Sequence, residues 1–164
     1  MGRWNAKPPI ERVRNGYRIN LADEEKDLLR DLLGQLRELL AGPLDHPALT
    51  RIFPTAYHQP QFAEFDAEYH RLMREELVAS RLAGIEIVQA ALSAKPPLQE
   101  SQLLAMTQAI NGVRLVLGTV LDVTEALDID DIADDDPRVS EYHLYGFLSW
   151  LLEWTVRAMS GLPD

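Results

Sequence analysis

The chain has 164 residues, no cysteine, and 26 acidic against 16 basic side chains, for a formal net charge of -10. That length suits one domain of ordinary size with a sizeable core. The missing thiols exclude a disulfide scaffold, a cysteine nucleophile, a zinc ribbon and a thiol redox switch, and the acid excess argues against a nucleic-acid coat protein.

Residues 10–21 predict a β-hairpin. Asn15-Gly16 is the preferred pair for a type I′ turn, and Tyr17, Ile19 and Leu21 alternate with Arg18 and Asn20 as a half-buried strand requires. A first helix is expected from Asp23 to Ala41, with Leu28, Leu29, Leu32, Leu36, Leu39 and Leu40 as its apolar stripe. Asp23, Glu24 and Glu25 suit its N-terminal dipole, and Gly42-Pro43 stops it.

A short helix is expected at 47–53, bounded by Pro47 and Pro54. A long one follows from about Pro60 to Ser93. Its buried side is expected to hold Phe62, Phe65, Tyr69, Leu72, Met73, Leu77, Ile87, Val88, Ala91 and Leu92, with Gly84 interrupting it. Lys95-Pro96-Pro97 reads as a linker. The next helix runs from about Gln99 to Val123, with Leu103, Met106, Ile110, Val113, Leu117 and Val120 on its apolar side. Gly112 and Gly118 there suggest close approach of a neighbouring helix.

Residues 122–136 hold eight acids and no base, so one segment supplies most of the charge excess. The first 18 residues hold five bases and one acid. The last helix runs from about Arg138 to Ser160 and is apolar on nearly every face. Such a helix is either central or shared with a second subunit, and Tyr142, Tyr145, Trp150 and Trp154 are its candidate dimer surface.

The predicted fold is all-α: a bundle of four main helices with a short extra helix and an N-terminal hairpin. Residues 1–164 form one domain, with the hairpin at 10–21, the helical body at 22–160 and an acidic loop at 122–137. The N-terminus lacks the apolar core of a secretory signal, and no run of 18 apolar residues exists, so a cytoplasmic protein off the membrane is expected.

Chemistry-bearing motifs are sparse. A calcium loop starting at Asp128 would put Ile132 and Ala133 where an oxygen ligand and a glycine belong, so the acidic segment reads as a solvated loop. A basic partner such as the hairpin would be needed to hold it compact. Asp66 and His70 share a helix face, whereas Glu141 and His143 do not, and neither forms part of a paired Glu-x-x-His di-iron set. No H-E-x-x-H, G-x-S-x-G, phosphate loop or dinucleotide fingerprint occurs. No cofactor or metal is expected.

Two polar groupings stand out. Arg12, Arg14 and Arg18, beside Tyr17, would offer nucleic acid or a partner a basic ribbon, or would salt-bridge to acidic helices. Glu76, Arg81, Asn111 and Arg114 would form a structural polar network if buried, and would otherwise face water.

A family resemblance joins these pieces. The run RVRNGYRINLADEEKDLLRDLLGQLRELL resembles the opening hairpin and helix of domain-of-unknown-function family 2017, an actinobacterial family. HPALTRIFPTAY, LMREELVASRLAG, LQESQLLAMTQAINGVRLVLGTVLD and YHLYGFLSWLLEWTVRAM resemble its later blocks in order, with Asn111, Arg114, Leu115 and Gly118 at matching positions. The resemblance implies a small, mostly helical cytoplasmic protein, often encoded near the Clp adaptor ClpS and a metalloprotease of sulfur metabolism. Some members carry the label of transcriptional or oxidative-stress regulators.

The leading expectation is a non-enzymatic regulatory or protein-interaction protein with a protein partner or a homodimeric state. The alternatives are a DNA-binding regulator acting through the hairpin and an enzyme with an unrecognised pocket.

Overall fold

The computed structural model describes residues 7–43, 45–53 and 63–161. Within them the chain is mostly helical. A hairpin of β1 (Ile10–Val13) and β2 (Gly16–Ile19) precedes α1 (Asp23–Ala41), a short 3₁₀ helix (Pro47–Leu49), α2 (Ala63–Leu92), α3 (Glu100–Val120), a 3₁₀ turn (Ile129–Asp131) and α4 (Val139–Ser160). Phe62 and the side chains of Phe65, Asp66 and His70 lie outside the described residues.

The hairpin turn differs from the expected one. Val13 pairs with Gly16, so the two turn residues are Arg14 and Asn15. Neither has positive φ, which a type I′ turn requires at both positions. Gly16 carries the unusual conformation instead, at φ 145°. The reason lies outside the hairpin. Leu98, just past Pro96-Pro97, pairs antiparallel with Tyr17 as a one-residue third strand. A Cβ on Gly16 would stand 2.2 Å from the Leu98 carbonyl oxygen.

α1 has the predicted bounds. Its first turn is closed by the Glu25 carboxylate, which accepts from the Ala22 N–H at 3.0 Å. Leu29, Leu33, Leu36 and Leu40 are buried at helical spacing, while Leu28 at the edge of the expected stripe is 40% exposed. Each buried leucine contributes about 1.5–3 kcal/mol of transfer free energy. α3 opens the same way, with Gln102 accepting from the Gln99 N–H at 2.8 Å.

α3 is the central element, packing on α1, α2, α4 and the 3₁₀ helix. Leu103, Met106 and Ile110 are fully buried there. It is 21 residues long and apolar enough to cross a membrane by length and composition alone; Leu103, Met106, Ile110 and Val113 are buried against its neighbours, whereas Leu104 and Val120, the latter expected on the apolar side, are exposed at the helix surface. Both of its glycines sit at close approaches. A Cβ on Gly112 would meet Leu36 at 3.2 Å, and one on Gly118 would meet the Tyr145 ring at 3.2 Å and Arg51 at 2.9 Å.

α4 is apolar on several sides because three elements cover it: α3, β1 and the Ile129–Asp131 turn. Its apolarity therefore has an explanation within one chain. It ends at Gly161 in the left-handed conformation, φ 68°.

Candidate functional site

The hairpin arginines do not form one ribbon face. Directly paired residues share a face of an antiparallel pair, and successive residues alternate. Arg12 pairs with the buried Tyr17, whereas Arg18 pairs with Glu11 on the opposite side. Arg12 reaches the end of α4, its guanidinium 3.0 Å from where a Gly161 Cβ would stand. That places a cation at the negative end of the helix dipole. The Glu11 carboxylate is taken by the Asn20 amide at 2.9 Å rather than by Arg18. Arg14 and Arg18 are exposed, and neither makes an ion pair among the described residues.

The acidic loop lies away from Arg12. Ile129 packs against Gly146 in α4, while Arg12 lies at Gly161. Those two points are about 22 Å apart along the helix at 1.5 Å per residue. The loop is held from elsewhere. Arg51 donates to the Val123 carbonyl at 2.7 Å. Asp128 and Asp136 accept from the backbone N–H groups of Asp130 and Arg138, at 3.0 and 2.8 Å, closing local turns. Among the described residues, no three His, Cys, Asp or Glu side chains converge as a metal site.

The four-residue polar network divides. Arg114 and Asn111 are together, at a long 3.5 Å, but the stronger contacts of Arg114 come from α4. Its Nε donates to Ser149 Oγ at 2.8 Å, and its guanidinium stacks 5.1 Å above the Tyr145 ring. Arg81 is separate and half-buried, donating to the Gln108 carbonyl at 3.3 Å. Burial lowers its pKa from the ordinary arginine value. Glu76 is exposed and joins neither group. Ser149 and Arg51 were not foreseen, because each meets its partner only across the fold.

The α4 aromatics are engaged within the chain. Tyr142 is buried and accepts from Arg138 at 3.3 Å, which withdraws it from any surface a second copy could reach. Tyr145 fills the space above Gly118. Trp150 lies 5.9 Å from Phe147, and Trp154 lies under Arg157 at 5.4 Å. Tyr145, Trp150 and Trp154 are half-buried.

The largest departure from expectation is on α2. Tyr69, Leu72, Met73, Leu77 and Ile87, all expected on the buried side, are 36–59% exposed. The core contacts come instead from Ile85, Val88, Ala91 and Leu92, with Val78 and Leu82 partly covered. At 30 residues, α2 extends well beyond the reach of the 19-residue α1. Arg30 bonds Ser93, and Arg37 bonds Glu86, so α1 runs antiparallel along the C-terminal part of α2 only. A second apolar surface is a groove of about 330 Å³ between α1 and α3, lined by Leu32, Leu36, Leu39, Val113, Leu117 and Val120.

The chain belongs to the family described as "Domain of unknown function (DUF2017)", which matches residues 4–159. No curated protein and no solved structure matches it.

Proposed function

We propose that this member of the family is a non-enzymatic protein-interaction or regulatory protein whose contact surface is the exposed face of α2. One observation carries the reading: Leu72, Met73 and Leu77 stand on consecutive turns of one helix and are all substantially exposed. Single exposed leucines are ordinary, but a row of large apolar side chains marks a contact face. In this reading the four helices form a bundle that acts as a rigid frame, and the face is offered at its edge.

Nucleic-acid binding is the weaker alternative. It rests on Arg14 and Arg18, since Arg12 lies against the end of α4. Two free cations would give binding of low affinity and a shallow salt dependence.

A photo-crosslinking amino acid placed at Leu72, and separately at Arg18, tests the two in the cell. A discrete protein adduct at position 72, lost when Met73 and Leu77 become glutamate, is the expected result. Nucleic-acid adducts at position 18 with none at 72 would overturn the proposal.

A further inference from the structure

We propose that the chain carries an oxyanion site, fitted to the dianion of free phosphate or of a small phosphate monoester. It is the cleft where β2, the first turns of α1 and the linker between α2 and α3 meet. Three observations carry the assignment.

The first is the set of cations. Arg18 of β2, Lys26 of α1 and Lys95 of the linker all line this cleft, and no acidic residue among the described ones does. None of the three makes an ion pair among the described residues, in a chain whose net charge is -10. Glu11, the register partner of Arg18, is held by the Asn20 amide instead. Cations gathered without a counter-charge repel one another, and an anion placed among them turns that repulsion into attraction.

The second is Lys26 itself. It is the fourth residue of α1, directly behind Asp23, Glu24 and Glu25, and it is half-buried. The positive end of the helix dipole disfavours a cation there, so helix formation does not account for it.

The third is the Ile19 N–H. Asn20 donates inward to the Pro9 carbonyl and Tyr17 donates outward to Leu98. Alternation along an antiparallel strand therefore turns the Ile19 N–H outward as well, toward the cleft. A continued ladder would set Ile19 against Pro96, which has no N–H to give, and the pairing stops at Leu98. The Ile19 N–H is left at the cleft wall with no acceptor among the described residues.

Size and charge set the ligand. The cleft holds about 40 Å³, room for one small group and not for a nucleotide. Its donors come from three side chains and the main chain, which suits the several acceptor oxygens of a phosphate. Three positive charges favour a dianion over a carboxylate or a phosphodiester, each of which carries one negative charge.

Amide NMR of the full chain, titrated with inorganic phosphate at constant ionic strength, tests the site. Saturable shifts centred on Ile19 and Lys95 are expected, and chloride should produce none. Phenyl phosphate distinguishes the sources: binding tighter than phosphate supports a monoester ligand, and weaker binding supports the free ion. Acetate binding as tightly as phosphate would overturn the dianion assignment. Lys26→Gln and Lys95→Gln should each weaken phosphate binding about tenfold, whereas Arg14→Gln on the same hairpin should not. Lys26→Gln should also keep or raise the melting temperature, because it removes a cation from the unfavourable end of α1, and so its loss of binding is not a folding defect. No saturable shift at high millimolar phosphate, shifts spread evenly over all exposed cations, or full affinity in both glutamine variants would overturn the proposal.

Discussion

Tyr17 and Leu98 exchange both backbone hydrogen bonds, Tyr17 N–H to Leu98 at 2.9 Å and Leu98 N–H to Tyr17 at 2.7 Å. This one-residue strand fastens the hairpin to the junction of α2 and α3. It also dictates Gly16, which needs both a positive φ and the room that a side chain would take from the Leu98 carbonyl. Gly16→Ala is therefore expected to destabilise the fold by about 2–4 kcal/mol, combining backbone strain with a clash against main chain. Urea unfolding checks it. A loss under 0.5 kcal/mol would mean that the hairpin is not held at Leu98.

Gly34 and Gly118 make a matched pair for the opposite test. Among the described residues nothing lies within 4 Å of where a Gly34 Cβ would stand, so Gly34→Ala should stabilise α1 by about 0.5–1 kcal/mol. Gly118→Val should cost about 1–3 kcal/mol, because Tyr145 and Arg51 occupy that space. Thermal melts of the two variants should move in opposite directions.

Arg114 joins α3 to α4 through Ser149 and the Tyr145 ring. Lysine cannot reproduce both the planar stacking and the Nε bond, so Arg114→Lys should lose about 1–2 kcal/mol. A double-mutant cycle with Ser149→Ala should give a coupling of about 0.5–1.5 kcal/mol. Zero coupling would show that the contact does not contribute.

Arg81 is a contrasting case. Its guanidinium is half-buried against a neutral carbonyl, with no carboxylate among the described residues to offset its desolvation. Arg81→Met keeps the apolar stem and removes the charge. It should leave stability unchanged or raise it by up to about 1 kcal/mol. A clear loss in a denaturant titration would assign the charge a partner.

These residues show where sequence was sufficient. The bounds of α1, the inward leucines and the glycine approaches at 112 and 118 follow from local periodicity and turn chemistry, which one helix records by itself. The Asn15-Gly16 signal located the hairpin but misplaced its turn, because Leu98, far along the chain, sets the conformation of Gly16. Ser149 was invisible for the same reason: its hydrogen bond to Arg114 exists only once α3 and α4 are packed. For α2, periodicity identified apolar positions but not which of them its own chain would cover. Leu77 and Val88 look alike in sequence, and they separate only once α1 and α3 are packed against α2.

The central claim is that the exposed face of α2 is a contact surface. Photo-crosslinking in the cell from position 72, in the otherwise wild-type chain and in the Met73→Glu/Leu77→Glu variant, tests it most directly. The wild-type background should give a discrete protein adduct, and the variant should lose it while keeping an unchanged helical circular-dichroism spectrum. No adduct from position 72, or an adduct that persists in the variant, would contradict it.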